Sequence, residues 1–274
     1  MRKIWTAAWK IGLFLLVWAA FYVPLFIPVA LRGGLETPFV RLYAEVTGAA
    51  TILAAAWILQ RFVDHRSLMS LGFAPHHAAR DLGAGLIIGA AMMASCIAIF
   101  MMAGWARWLS ASISLMALWP GALSMMANTI TQEVLVRGYV RQTFEREFGV
   151  RSAILLSAIF FVVLHAGAIR LPLPALNLFA AGLLLGAAYA ATSNLWLPIG
   201  IHFTWNFLQG PLLGLPVSGQ SLSSGWRTVE VKGPPAFTGG SFGVEGGLVA
   251  LVITTIAAAI TASRIAPDDS SDRT

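Results

Sequence analysis

Charge is scarce in this chain, and the scarcity excludes most soluble architectures. Only 11% of its 274 residues are Asp, Glu, Lys or Arg, against about a quarter in an ordinary globular domain. Cysteine is nearly absent as well: the single Cys96 rules out an internal disulfide and leaves no cysteine pair for a metal. The chain has no His-Glu-x-x-His pairing, which removes the commonest zinc-protease arrangement. Basic residues outnumber acidic ones, 18 to 12, and the pI is near 10.1. They are scattered over loop ends, however, with no basic module or aromatic-basic stripe, so no nucleic-acid partner is expected.

What the chain has instead is length of apolar sequence. Hydrophobic residues make up 58% of it and mean hydropathy is +0.76. Apolar runs of about 20 residues, the length that crosses a bilayer as helix, fall near 11–31, 41–61, 82–104, 112–137, 152–169, 175–192, 196–213 and 246–263. The expected fold is therefore an all-α, polytopic membrane bundle of about eight transmembrane helices, forming one integral domain over 1–274. Arg2, Lys3 and Lys10 precede a run that continues to about Ala30 without a small-residue cleavage pattern, so that run reads as a retained first span. The segment 214–245 is rich in Gly, Ser and Pro, and 264–274 reads as a polar tail.

The basic residues set the orientation, because loops rich in Lys and Arg stay in the cytoplasm. An N-in arrangement gives the cytoplasmic side Arg2, Lys3, Lys10, Arg61, Arg66, Arg80, Arg137, Arg141, Arg146, Arg151, Arg264 and Arg273. The other side receives Arg32, Arg41, Arg107, Arg170, Arg227 and Lys232. Both termini are then cytoplasmic, and the lipid bilayer is the surrounding partner. Gly85 with Gly89, and Gly182 with Gly186, have the spacing that lets membrane helices approach closely. Trp5, Trp9, Trp105, Trp108 and Trp196 fall near span ends, where amphipathic rings favour the interface. Cys96, inside the third run, is a packing residue.

Against this apolar background three polar elements stand out, since ionisable groups at membrane depth are costly unless they face a protein interior or a wet cavity. The first is Gln132-Glu133-x-x-x-Arg137, read at the cytoplasmic end of the fourth run. Glu133 and Arg137, four apart on one helix face with the acid first, suit an ion pair, while Gln132 turns about 100° away. The second is Phe161-x-x-x-His165, late in the fifth run; a histidine there suits general-base work or a simple bond to a carbonyl. The third is His202-x-x-x-Asn206 in the seventh run, two hydrogen-bonding groups one turn apart that can share a developing oxyanion or join neighbouring helices.

This ordered set resembles the CPBP family of intramembrane proteases, which includes the type II CAAX prenyl endopeptidases acting on the C-termini of prenylated proteins, and bacterial members linked to bacteriocin self-immunity. The family carries Glu-Glu-x-x-x-Arg, Phe-x-x-x-His and His-x-x-x-Asn on separate helices. The stretches 194–206 and 239–247 also look like bacterial members, and the CPBP-like core spans approximately 112–263. The resemblance implies an endopeptidase that cleaves membrane-associated protein or peptide substrates with an activated water. It implies His165 as the water-activating partner, His202 and Asn206 as oxyanion stabilisers, and Glu133 as the second glutamate of its motif, paired with Arg137. The departure is Gln132, a neutral residue where the family has its first glutamate. Glu133 therefore joins His165, His202 and Asn206 as a candidate catalytic residue, with Gln132 and Arg137 supporting.

The resemblance implies no cofactor; the alternative is a divalent metal such as zinc on Glu133, His165 and His202. A catalytically silent scaffold or immunity protein of the same fold is the alternative function, and a transporter a more distant one. A multi-pass protein of a bacterial inner (plasma) membrane is the expected location.

Overall fold

The apolar runs become helices because a backbone in hydrocarbon must satisfy every N–H and C=O within its own segment. The computed structural model describes residues 1–31, 37–110, 115–169, 171–221 and 227–265. Arg32, Arg170, Arg273 and the expected tail from 266 onward lie outside the described residues. In chain order the helices are α1 (Arg2–Ala30), α2 (Pro38–Phe62), α3 (Ala78–Met102), α4 (Leu115–Glu133), α5 (Arg141–Phe148), α6 (Val150–Leu164), α7 (Pro172–Thr192), α8 (Trp196–Phe207), the short α9 (Pro235–Thr238) and α10 (Leu248–Ala262). Helices α1, α2, α3 and α7 are long and apolar enough to cross a membrane, and α6 and α10 are shorter apolar helices. The chain is an all-α membrane bundle, with one small antiparallel ribbon of β1 (Ala106–Trp108) and β2 (Val229–Val231).

Two of the run boundaries differ from the sequence reading. The fourth run does not end at Arg137: α4 passes through a π-helical segment, Val134–Val140, directly into α5, so Glu133 and Arg137 lie midway along a continuous column. The column can continue because Arg137 and Arg141 do not need to reach water. Each is fully buried and paired within the helix, Arg137 to Glu133 and Arg141 to Glu145. The fifth run also stops early. Helix α6 closes at Leu164, and His165 caps it with its ring Nδ1 2.8 Å from the carbonyl of Phe161.

Small residues set the closest approaches. A Cβ on Gly85 would fall 2.8 Å from Gly200 Cα of α8, and one on Gly89 would fall 3.0 Å from Thr204 Cβ. Helix α3 therefore lies against α8 nearly backbone to backbone, as small residues permit in lipid. Gly182 of α7 meets α6 similarly, with Ala158 Cα 2.7 Å from where its Cβ would be. Cys96 is wholly buried in the α3 core with Met93 and Phe100. Trp5 and Trp108 are exposed, whereas Trp196 is tied by Nε1 to the carbonyl of Ala74 at 2.9 Å and Trp105 packs on Phe237.

The bundle has two distinct ends. At one, Asp64 binds Lys10 of α1 at 2.5 Å and Arg146 of α5 at 3.2 Å, gathering the N-terminus and the ends of α2 and α5. At the other lie the start of α2, the β ribbon, residues 165–169 after α6 and the segments 213–221 and 227–247. Arg107 meets Glu230 there at 2.6 Å, and Arg41 reaches Gln220 at 3.0 Å. These contacts gather Lys10 and Arg146 at one end and Arg41 and Arg107 at the other.

Candidate active site

The polar residues of α4 are placed by helical period. Asn128 and Gln132 sit one turn apart on one face, and the Gln132 Nε2 donates to Asn128 Oδ1 at 2.7 Å. One residue on, Glu133 points the other way into the protein. It has no solvent exposure, and its Oε1 accepts from Arg137 Nη1 at 3.0 Å.

His202 closes on that same oxygen. Its Nδ1 lies 2.7 Å from Glu133 Oε1, linking α8 to α4 across the bundle. A carboxylate can only accept, so Nδ1 carries the proton and Nε2 is the nitrogen left for other work. In His165 the carbonyl of Phe161 imposes the same assignment, leaving Nε2 of the neutral ring as a free lone pair. Phe161 itself is the hub. The Arg137 guanidinium lies 4.5 Å over its ring, and the His165 and His202 rings meet it edge-on at 4.7 and 6.0 Å. The spacing of Phe161 and His165 thus serves two contacts, one aromatic and one to a backbone carbonyl.

These groups surround a cavity of about 1180 Å³. Gln132, His165, His202 and Asn206 are on its wall, together with Phe161, Trp205 and apolar side chains of α7 such as Leu184 and Leu185. The remaining walls come from Arg41 and Glu45 of α2, residues 171–174 at the start of α7, and Val217, Ser218, Phe242 and Glu245 from the long connection before α10. All of these lie toward the end of the bundle that holds the β ribbon.

Of the sequence candidates, the structure brings Gln132, His165, His202 and Asn206 to one surface. Glu133 and Arg137 stand behind it and meet the site through His202 and Phe161. Glu133 thus lies behind the wall rather than on it, with Oε2 buried and without a hydrogen-bond partner among the described residues. Arg137 and His202 both engage its Oε1, the pairing that a carboxylate so deeply buried needs. Among the described residues no group of three His, Cys, Asp or Glu side chains is placed to hold a metal ion, and Glu133 Oε1 is occupied by its two cationic or N–H partners.

Several site residues were missed by sequence reasoning. Glu45 and Asn128 line the cavity, and Asn128 Nδ2 donates to Glu45 Oε2 at 2.9 Å. The signal was present, since Glu45 is an ionisable residue within an apolar run, the same criterion that singled out Glu133. Glu245 is the other omission. Its carboxylate accepts from the side chain of Gln209 and, at 2.5 Å, from the backbone N–H of Ser218, which pins the long connection to α8. Removal from water pushes the Glu245 carboxyl up to about 7, against the hydrogen bonds from Gln209 and Ser218 that pull it down.

Residues 114–208 match the family model of the type II CAAX prenyl endopeptidases, Rce1-like. That segment holds all three polar elements, and over it the resemblance to the CPBP proteases holds. No curated protein and no solved structure matches the chain. With its long apolar helices, the chain is an integral membrane protein.

Proposed function

As a chain whose residues 114–208 are Rce1-like, this protein is, we propose, an intramembrane endopeptidase that hydrolyses peptide bonds of membrane-associated protein substrates with an activated water, in a bacterial inner membrane. The observation that carries the reading is that Gln132 of α4, His165 at the end of α6, and His202 and Asn206 of α8 share one cavity wall in an apolar bundle.

The chemistry follows from which atoms are free. His165 Nε2 takes a proton from a water whose other O–H donates to Gln132 Oε1, and the water oxygen attacks the scissile carbonyl. Charge grows on the carbonyl oxygen as the C–O bond forms. Asn206 Nδ2–H and protonated His202 Nε2–H are the donors for it, in a site where low dielectric strengthens each bond. The imidazolium of His202 is stabilised by the Glu133 carboxylate at Nδ1. Collapse of the tetrahedral intermediate breaks the C–N bond, and His165 returns its proton to the leaving amine. No step of this reading takes a metal.

The apolar walls contributed by α7 and the start of α7 suit a substrate with a hydrophobic segment, and the family similarity makes a prenylated C-terminal peptide the first one to try. The test is cleavage of a membrane-anchored peptide reporter by reconstituted protein, with His165→Ala as comparison. Loss of the general base is expected to cost ~10²–10⁴ in rate. Equal cleavage by both proteins would rule the reading out.

One observation favours a second reading. The cavity wall carries the neutral Gln132 where the resemblance implies a glutamate, so a silent relative of the same fold would show no cleavage by the wild-type protein and a gain in Gln132→Glu.

A further inference from the structure

From α4 the cavity wall receives the neutral amide of Gln132, and from α2 it receives a carboxylate. Glu45 lines it, part-buried, with Arg41 one turn earlier. Glu45 Oε2 accepts from Asn128 Nδ2 at 2.9 Å, and Asn128 Oδ1 accepts from Gln132 Nε2 at 2.7 Å. The string has a direction. A carboxylate only accepts, so the Asn128 amide must present its NH2 to Glu45 and its oxygen to Gln132. Gln132 must in turn present its NH2 to Asn128. Its Oε1 is consequently the end of the string, and that atom is buried with no hydrogen-bond partner among the described residues.

We propose that Glu45 is a positioning residue for the hydrolytic water: through Asn128 it fixes the orientation of the Gln132 amide, with Oε1 as the polarised acceptor at the end of the string. The carboxylate of this string stands on α2 and acts through two amides. This rests on the endopeptidase reading for its consequence, though the string itself stands on the geometry. Hydrogen bonds in series polarise one another, and an anion at the head of the string makes the terminal oxygen a better acceptor. Gln132 then orients the water O–H while His165 takes the proton; Glu45 itself never needs to reach the water. Without Glu45 the Asn128 and Gln132 amides are free to reverse, which would put an NH2 where an acceptor is required.

A double-mutant cycle tests this on the full-length protein in liposomes, with the membrane-anchored peptide reporter. Glu45→Gln is isosteric and should lower kcat on the order of 10²-fold, the scale of a misplaced reacting group, with KM little changed. In the Gln132→Glu background, which restores the carboxylate to α4, the same Glu45→Gln change should have almost no effect on kcat. An equal loss in both backgrounds would mean that Glu45 serves only structure, and an unchanged kcat in the wild-type background would also overturn the proposal. A second readout is independent of cleavage. In protein with 15N-labelled glutamine side chains, the amide resonances of Gln132, assigned by their loss in Gln132→Glu, should move in Glu45→Gln and in Asn128→Ala. If they stay in place the string does not exist, whether or not the protein is a protease. If they move while wild type is inert on every reporter, the string stands and the endopeptidase reading fails.

Discussion

His202 Nδ1 lies 2.7 Å from Glu133 Oε1, and that oxygen also takes Arg137 Nη1 at 3.0 Å, with Glu133 and Arg137 both fully buried. One carboxylate therefore holds two cationic or N–H partners from two helices, and the consequences of removing it are asymmetric. Glu133→Gln strands the Arg137 charge in the interior, where breaking a buried pair costs about 3–5 kcal/mol. Thermal unfolding in detergent should show a large drop in Tm. The double change Glu133→Gln, Arg137→Met should recover much of it, since no uncompensated charge remains. A small Tm change in the single variant would contradict the assignment.

Asn206 offers a cleaner probe of the chemistry, because it is on the cavity wall one turn from His202 and outside the buried pair. Asn206→Ala should lower kcat about 10²–10³-fold, the usual cost of one oxyanion donor, with an unchanged Tm. An effect confined to KM would make Asn206 a substrate-binding group.

Packing of α3 on α8 depends on Gly85, where an added Cβ would fall 2.8 Å from Gly200 Cα. The obstruction is backbone, which cannot rotate away. Gly85→Leu should destabilise the bundle by about 1–3 kcal/mol or more through overpacking, measured as a loss of Tm, and should disturb His202 and Asn206 because α8 carries both. Gly83→Leu, at a position with nothing within 4 Å of its Cβ, is the matched control and should be nearly neutral.

Glu245 gives the protein a pH dependence. Its carboxyl is raised in the folded state to about 7 from an ordinary value of 4.5. The folded state thus binds the proton more tightly than the unfolded state, and the resulting stability is fully present below pH 4.5 and is lost as pH rises through about 7. Tm measured across this window should fall with pH by an increment that Glu245→Gln removes. A flat difference between the two proteins would show that Glu245 does not titrate there.

Topology can be tested without any activity. The N-in reading places Arg66 and Arg146 inside and Gly219 outside, and reporter fusions at the three sites should read accordingly. The cavity wall is built from elements of the Gly219 end, so that orientation opens the cavity away from the cytoplasm. An outside signal at Arg146 would reverse it.

What the sequence by itself determined was the class of protein and the identity of its polar groups. Long apolar runs leave helices as the way to satisfy the backbone, and Gln132, Glu133, His165, His202 and Asn206 are conspicuous because polar groups at membrane depth need a reason. Period alone also paired Glu133 with Arg137 and His202 with Asn206, since residues four apart share a face. Only the tertiary structure decided which of two adjacent residues meets the cavity. Gln132 and Glu133 differ by about 100° of helix rotation, and the rotation of α4 against α2 and α8 is set by packing that no single helix encodes. The same holds for Glu45. It stood in the apolar sequence as plainly as Glu133, but its link to Gln132 runs through Asn128 across an interface between α2 and α4, 83 positions apart in the chain. The continuation of α4 into α5 was hidden for a related reason: two arginines read as a membrane exit until their burial against Glu133 and Glu145 removed the need to reach water.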